Sequence, residues 1–164
     1  MCRHLRFYTD QALSDIPSVV NPGRVTDVIF QIGLNDTRDG FSTQRTRDNI
    51  METQIRYHRA FPNARQHLME LPPISDPQIE MNVLIRKLAV HTGCNLVSTK
   101  QFRDRTTGHL RLNTMASDGF HYNEVGIKIL AKEVKKSLFS MANRENANLT
   151  VLNNFRSYSM IDSF

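Results

Sequence analysis

Apolar positions follow two alternating rhythms along the chain. Residues 25–32 form a compact β-branched run, with Val25, Val28, Ile29, Phe30 and Ile32 interrupted by Thr26 and Asp27. Such a run predicts a strand buried on both faces. Residues 66–71 predict a second strand, stopped by Pro72-Pro73, and residues 95–98 a third. Helical spacing fills the gaps. Ser42 caps a helix over 42–59, with Ile50, Met51 and Ile55 on one face and Phe61-Pro62-Asn63 at its end. Asp76-Pro77 opens the next, with Asp76 as cap, Met81, Leu84, Ile85 and Leu88 as its stripe, and Gly93 as its stop. The last runs over 123–139, with Ile127, Leu130, Val134 and Leu138 facing inward. A shorter helix is expected over 8–20, its end blurred by Pro17, before the turn Asn21-Pro22-Gly23. Residues 33–41 and 99–117 read as loops.

Strands alternate with helices, and each connection is long enough for a crossover. That order predicts an α/β domain, a parallel sheet between two helical layers. The 164 residues suffice for one domain with a real core. Residues 1–140 are expected to form it, and 141–164, rich in Asn and Ser without a sustained period, a flexible tail. No apolar run approaches the roughly 20 residues of a membrane span, and Met1 to Arg6 does not open a signal peptide. The default expectation is cytoplasmic. Cys2 and Cys94 form neither metal spacing nor a disulfide framework, and Cys94 reads as a small buried hydrophobe. No metal and no cofactor are expected. The net charge of +5 is spread along the chain, and its densest stretch, Lys128 to Lys136, is the wet face of one helix.

Two loops hold residues suited to chemistry. Gly33-Leu34-Asn35-Asp36 follows the first strand, at the carboxyl end where parallel sheets gather function. Gly33 permits a sharp turn, and the Asn35 side chain could donate to a developing oxyanion. Asp118-Gly119-Phe120-His121 precedes the last helix, and a carboxylate three residues from a histidine could orient it as a base. Taken alone, Gly33 to Asp36 reads better as a loop capped by Asn and Asp, and Asp118 to His121 is a weak signal beside a polar loop leading to a helix capped by Asn123. His4, His58, His67, His91 and His109 have no such partner in sequence and are expected on surfaces or helix faces.

Together and in order, the two loops resemble blocks of the SGNH (GDSL-type) esterase and lipase superfamily. Residues 25–36 are similar to its third block, a buried strand running into G-x-N-D. Residues 118–126 are similar to its fifth, D-x-x-H opening the final helix. Phe61-Pro62-Asn63-Ala64 and Leu71-Pro72-Pro73 match the usual route between them. The resemblance covers roughly residues 8 to 139. It implies a three-layer α/β/α, flavodoxin-like fold. His121 would be general base, Asp118 its orienting carboxylate, Asn35 an oxyanion donor and Gly33 the shaper of that loop. It implies hydrolysis of acyl esters, acetyl esters among them, with a small-molecule, glycan or lipid ester as partner.

The family's first block, a strand followed by Gly-Asp-Ser, has no counterpart here. Ser14 and Ser18 follow no apolar strand, and the first glycine is Gly23, so the second-block glycine is missing too. The expectation is a domain lacking its first strand at the N-terminus and inactive alone. The alternative is a catalytically inactive binding module, since SGNH-like domains also occur in proteins of some retroelements. Nucleic acid is not the expected partner, because aromatic-plus-basic interleaving, zinc knuckles and a coiled coil are lacking.

Overall fold

The structure, a computed structural model, describes residues 8–14, 21–108 and 110–139. The expected tail, His4, Ser18, Cys2 and His109 lie outside them, as does the Ser14 side chain. Three strands, β1 (Asp27–Phe30), β2 (Arg65–Met69) and β3 (Asn95–Val97), form a parallel sheet in the order β1-β2-β3. Helix α1 (Thr9–Ser14) precedes it, and α2 (Leu34–Arg38) follows β1. Helices α3 (Thr43–Ala60) and α4 (Asp76–Thr92) are the crossovers, and α5 (Glu124–Phe139) closes the described chain.

Both crossovers step the same way along the sheet. Right-handed connections therefore put α3 and α4 on one face. Ile50 of α3 and Met81, Ile85 and Leu88 of α4 meet Phe30, Leu68 and Leu71 in a single core. Each such side chain contributes about 1.5–3 kcal/mol when fully buried. On the other face α5 packs against β3 and reaches β2 through Ser137 and His67. The architecture is α/β/α.

Local signals explain most boundaries. Ser42 Oγ accepts the Arg45 N–H at 3.2 Å, which starts α3. Gly93, at φ 70°, stops α4 in the left-handed conformation. Helix α4 is capped by Ser75, not Asp76: the Ser75 N–H donates to the Gln78 side chain at 3.1 Å, and Asp76 and Pro77 become the first helical residues.

Four expectations are corrected. Strand β1 is not buried on both faces. Among the described residues it is a sheet edge, and Ile29 is 39 % exposed. Residues 33–41 are not all loop, because Gly33 caps the short α2. The buried face of α3 is Thr46, Ile50, Thr53 and Gln54, with Met51 and Ile55 at its margins. Ile127 points outward, 57 % exposed, because α5 buries Gly126 against Thr114 and Tyr122 and Ser137 against His67.

A further correction concerns His67. It sits in the central strand, fully buried, not on a surface. Its Nε2 is 2.9 Å from Asp27 Oδ1 and its Nδ1 2.8 Å from Ser137 Oγ. Burial raises the Asp27 pKa, but hydrogen bonds from His67 and Thr26 and the Arg65 charge outweigh it and hold the carboxyl below its ordinary value. An ionised Asp27 can accept only. So Nε2 carries the proton, and Nδ1 accepts the Ser137 hydroxyl. Burial pushes the His67 pKa below 6.5, against the pull of Asp27. Below 6.5 the unfolded chain then binds a proton that the folded chain refuses, so stability is full above that pH and is lost as pH falls toward the folded value. Burial lowers His58 as well, with the same sign. Urea midpoints should therefore fall between pH 7 and pH 5, and the fall should be smaller in His67→Gln. That variant should also lose about 1–3 kcal/mol at pH 7, because Asp27 loses the imidazole donor and Ser137 its acceptor, while Arg65 still pairs with Asp27. An unchanged pH slope would show that His67 is not the group responsible.

Candidate functional site

The carboxyl ends of the three parallel strands point to one edge, and both chemistry-bearing loops leave from it. After β1 the chain reaches Gly33 at φ 102°, a conformation that favours glycine. A Cβ there would lie 3.0 Å from Thr46 Cγ2, so α2 packs closely on α3. Thr37 closes this turn, donating through N–H and hydroxyl to the Gly33 carbonyl at 3.0 Å each. Asn35 then lies in the first turn of α2, partly exposed. Its neighbour Asp36 is fully buried and faces α1. Its carboxylate accepts the Thr9 N–H at 3.0 Å and the Thr9 hydroxyl at 2.5 Å. Asp36 therefore anchors α1 to the loop, and Asn49 Nδ2 completes the knot by donating to Thr9 Oγ1 at 3.0 Å. The sequence offered no signal for this link.

The second loop is held as tightly. Asp118 Oδ1 accepts the N–H groups of Phe120 and His121 at 2.9 Å each, and Oδ2 lies 2.5 Å from His121 Nδ1. Gly119, at φ 67°, allows the turn between them. The His121 side-chain bond, then the two backbone donors, hold the Asp118 carboxyl well below the usual carboxylate range. An ionised Asp118 is an acceptor, so His121 Nδ1 carries the proton and Nε2 is the basic nitrogen. Both side chains are open to solvent, 60 % for His121 and 47 % for Asp118.

Asn123 sets where this turn stands. Its Oδ1 accepts the Gly126 N–H at 3.0 Å, capping α5, while its Nδ2 donates to the carbonyls of Asn113 and Met115 at 3.0 and 2.9 Å. Ala116 N–H donates to the His121 carbonyl at 2.7 Å. The two loops are brought to one another by neighbours of the named residues. The Arg38 guanidinium lies 4.9 Å from the Phe120 ring centre. Gln31 Nε2 donates to the Tyr122 hydroxyl at 3.1 Å, and burial pushes that phenol up to about 12. Arg38, Gln31 and Tyr122 gave no sign of this in sequence.

Among the described residues no group of His, Cys, Asp and Glu could hold a metal ion, and no helix is long and apolar enough to cross a membrane.

No family profile matches the sequence, and neither does any curated protein. Solved structures do match. A GDSL-like lipase from Bacteroides thetaiotaomicron aligns with 70 % of the chain at 17 % identity and a TM-score of 0.60. The psychrotrophic esterase EstA from Pseudoalteromonas, in a form inhibited by monoethylphosphonate, aligns with 82 % at 20 % identity and 0.63, covering 72 % of the esterase. The OSK domain of Drosophila Oskar aligns with 80 % at 16 % identity and 0.62, covering 70 % of that domain. The chain spans 62 % of the Bacteroides lipase. These likenesses give the fold: the chain has the α/β/α architecture of GDSL-type hydrolases.

Gly126 is the point where the D-x-x-H turn is pressed onto the domain. A Cβ there would meet the Thr114 carbonyl oxygen at 2.2 Å, backbone that cannot give way. Gly126→Ala should cost about 1–3 kcal/mol in denaturant titration. The His121 imidazole resonances should shift with it. A variant as stable as the parent would mean that the start of α5 is not fixed there.

Proposed function

We propose that this domain carries the acid–base part of an SGNH-type ester-hydrolase site. His121 is the general base, Asp118 holds its ring, and Asn35 donates to the oxyanion from the loop shaped by Gly33. The observation that supports it most is the 2.5 Å contact of His121 Nδ1 with an ionised Asp118 on the strand-end edge beside α2. In this reading a serine hydroxyl attacks the acyl carbon and gives its proton to His121 Nε2. The alcohol leaves with that proton, and water then releases the acid by the same route. Simple acyl esters, acetyl esters among them, are the substrate class. The sequence offers no serine in the setting of the family's first block, so this reading assigns the base, its orienting carboxylate and the oxyanion donor, and not the nucleophile.

A binding module on the same fold is the second reading. The half-exposed Asp118 favours it, since the carboxylate of a working triad is ordinarily buried.

The chain should hydrolyse p-nitrophenyl acetate no faster than its His121→Ala variant. Fused behind a strand–Gly-Asp-Ser segment, it should gain a saturable rate. Asn35→Ala should then lower that rate by roughly 10²–10³-fold. Asp118→Asn and His121→Ala should each remove most of it, and the double variant should be no worse than either alone, because the groups act as one unit. If the fused protein folds and turns over equally well with Ala at 121, the hydrolase reading fails and the binding module replaces it.

A further inference from the structure

The loop between β3 and α5 carries a second concentration of charge, which the proposed ester chemistry does not use. A 3-10 turn, Lys100–Phe102, leads into a small hairpin closed by an antiparallel bridge between Arg103 and Leu110. The hairpin is built firmly. Asp104 Oδ1 accepts the N–H groups of Thr106 and Thr107 at 2.9 Å each. Gly108 donates to the Asp104 carbonyl at 2.9 Å. At the root, Phe102 is fully buried with its ring centre 5.0 Å from that of Tyr122, and the Arg111 N–H donates to the Phe102 carbonyl at 2.7 Å.

Lys100, Arg103, Arg105 and Arg111 line an open cleft of about 810 Å³, with Thr106 and a single carboxylate, Asp104. Among the described residues none of the four cations is in a salt bridge, whereas Arg45, Arg47, Arg56, Arg65 and Arg86 each lie on a carboxylate. Asp104 spends its Oδ1 on the turn. Gathering four cations on one cleft is unfavourable unless an anion answers them. A monovalent carboxylate would meet one of the four. A phosphate offers more charge and several acceptor oxygens, and its geometry matches the guanidinium fork. No aromatic side chain lines the cleft among the described residues, so nothing there stacks a base.

We propose that this cleft is a binding site for a phosphate-bearing ligand, with Arg103, Arg105 and Arg111 supplying charged hydrogen bonds and Lys100 a further cation. The cleft's lining includes neither Asp118 nor His121, and the proposal does not depend on the activity of that pair.

The full chain would be titrated calorimetrically with inorganic pyrophosphate, and by fluorescence anisotropy with a short labelled oligodeoxythymidine, at fixed ionic strength. Lys100, Arg105 and Arg111 are exposed, so Lys100→Gln/Arg105→Gln/Arg111→Gln should fold, as circular dichroism would verify. Binding should weaken by about tenfold or more in that variant, and Arg105→Glu alone should weaken it detectably. Pyrophosphate binding that the oligonucleotide does not displace identifies a small phosphorylated ligand. Tighter, steeply salt-dependent oligonucleotide binding that pyrophosphate displaces identifies a polynucleotide backbone. Absence of binding by both probes, or binding equally strong in the variants, overturns the proposal.

Discussion

The central strand β2 and the residue after it carry Gln66, His67 and Glu70 at 7 %, 0 % and 2 % exposure. Polar groups buried this deeply are unfavourable unless each finds a partner. Each finds one on a different surrounding element. Gln66 Nε2 donates to the Gln54 carbonyl of α3 at 2.8 Å. His67 joins Asp27 of β1 to Ser137 of α5. Glu70 takes Arg86 of α4, the Ser98 hydroxyl at 2.9 Å and the Thr99 N–H at 2.7 Å. Apolar burial between the sheet and α3 and α4 supplies most of the driving force. The polar partners of β2 decide where each element sits against the sheet, because a helix shifted by one turn would leave a buried group unpaired.

This constraint reaches the site. Helix α5 is fixed at its far end by Ser137 on His67 and at its start by Asn123 and Gly126 against residues 113–115. The Asp118–His121 turn hangs from that start. On the other side, Asp36 and Thr37 hold α2 against α1 and the Gly33 carbonyl. Thr37 also accepts from Gln78 of α4 at 3.0 Å. Both loops are thus mounted on buried contacts, while His121 and Asp118 themselves stay open to solvent. A rigid mount with a solvated working end suits either acid–base chemistry or recognition.

The edge position of β1 among the described residues gives the sheet an unusual asymmetry. His67 of β2 is sealed, but Ile29, its register partner on the neighbouring strand, is 39 % exposed. A β-branched run reads as doubly buried because its composition is that of a central parallel strand. Composition cannot count neighbours.

The sequence by itself determined the three strands and the helices between them, through period, Ser42, Gly93 and the Pro72-Pro73 stop. It also determined that Asp118 and His121 share a turn, since three residues with Gly119 between them suffice locally. Tertiary structure alone decided the rest. His67 became buried because its partners are 40 and 70 residues away in sequence. Ile127 was turned outward because the small Gly126 is what fits under the Thr114 carbonyl. Asp36 was drawn to Thr9, and Arg38 to Phe120, by packing between elements that no local pattern couples. Hydrophobic period reports which residues can be buried. Which polar residues join them depends on partners that only the assembled fold brings within hydrogen-bond reach.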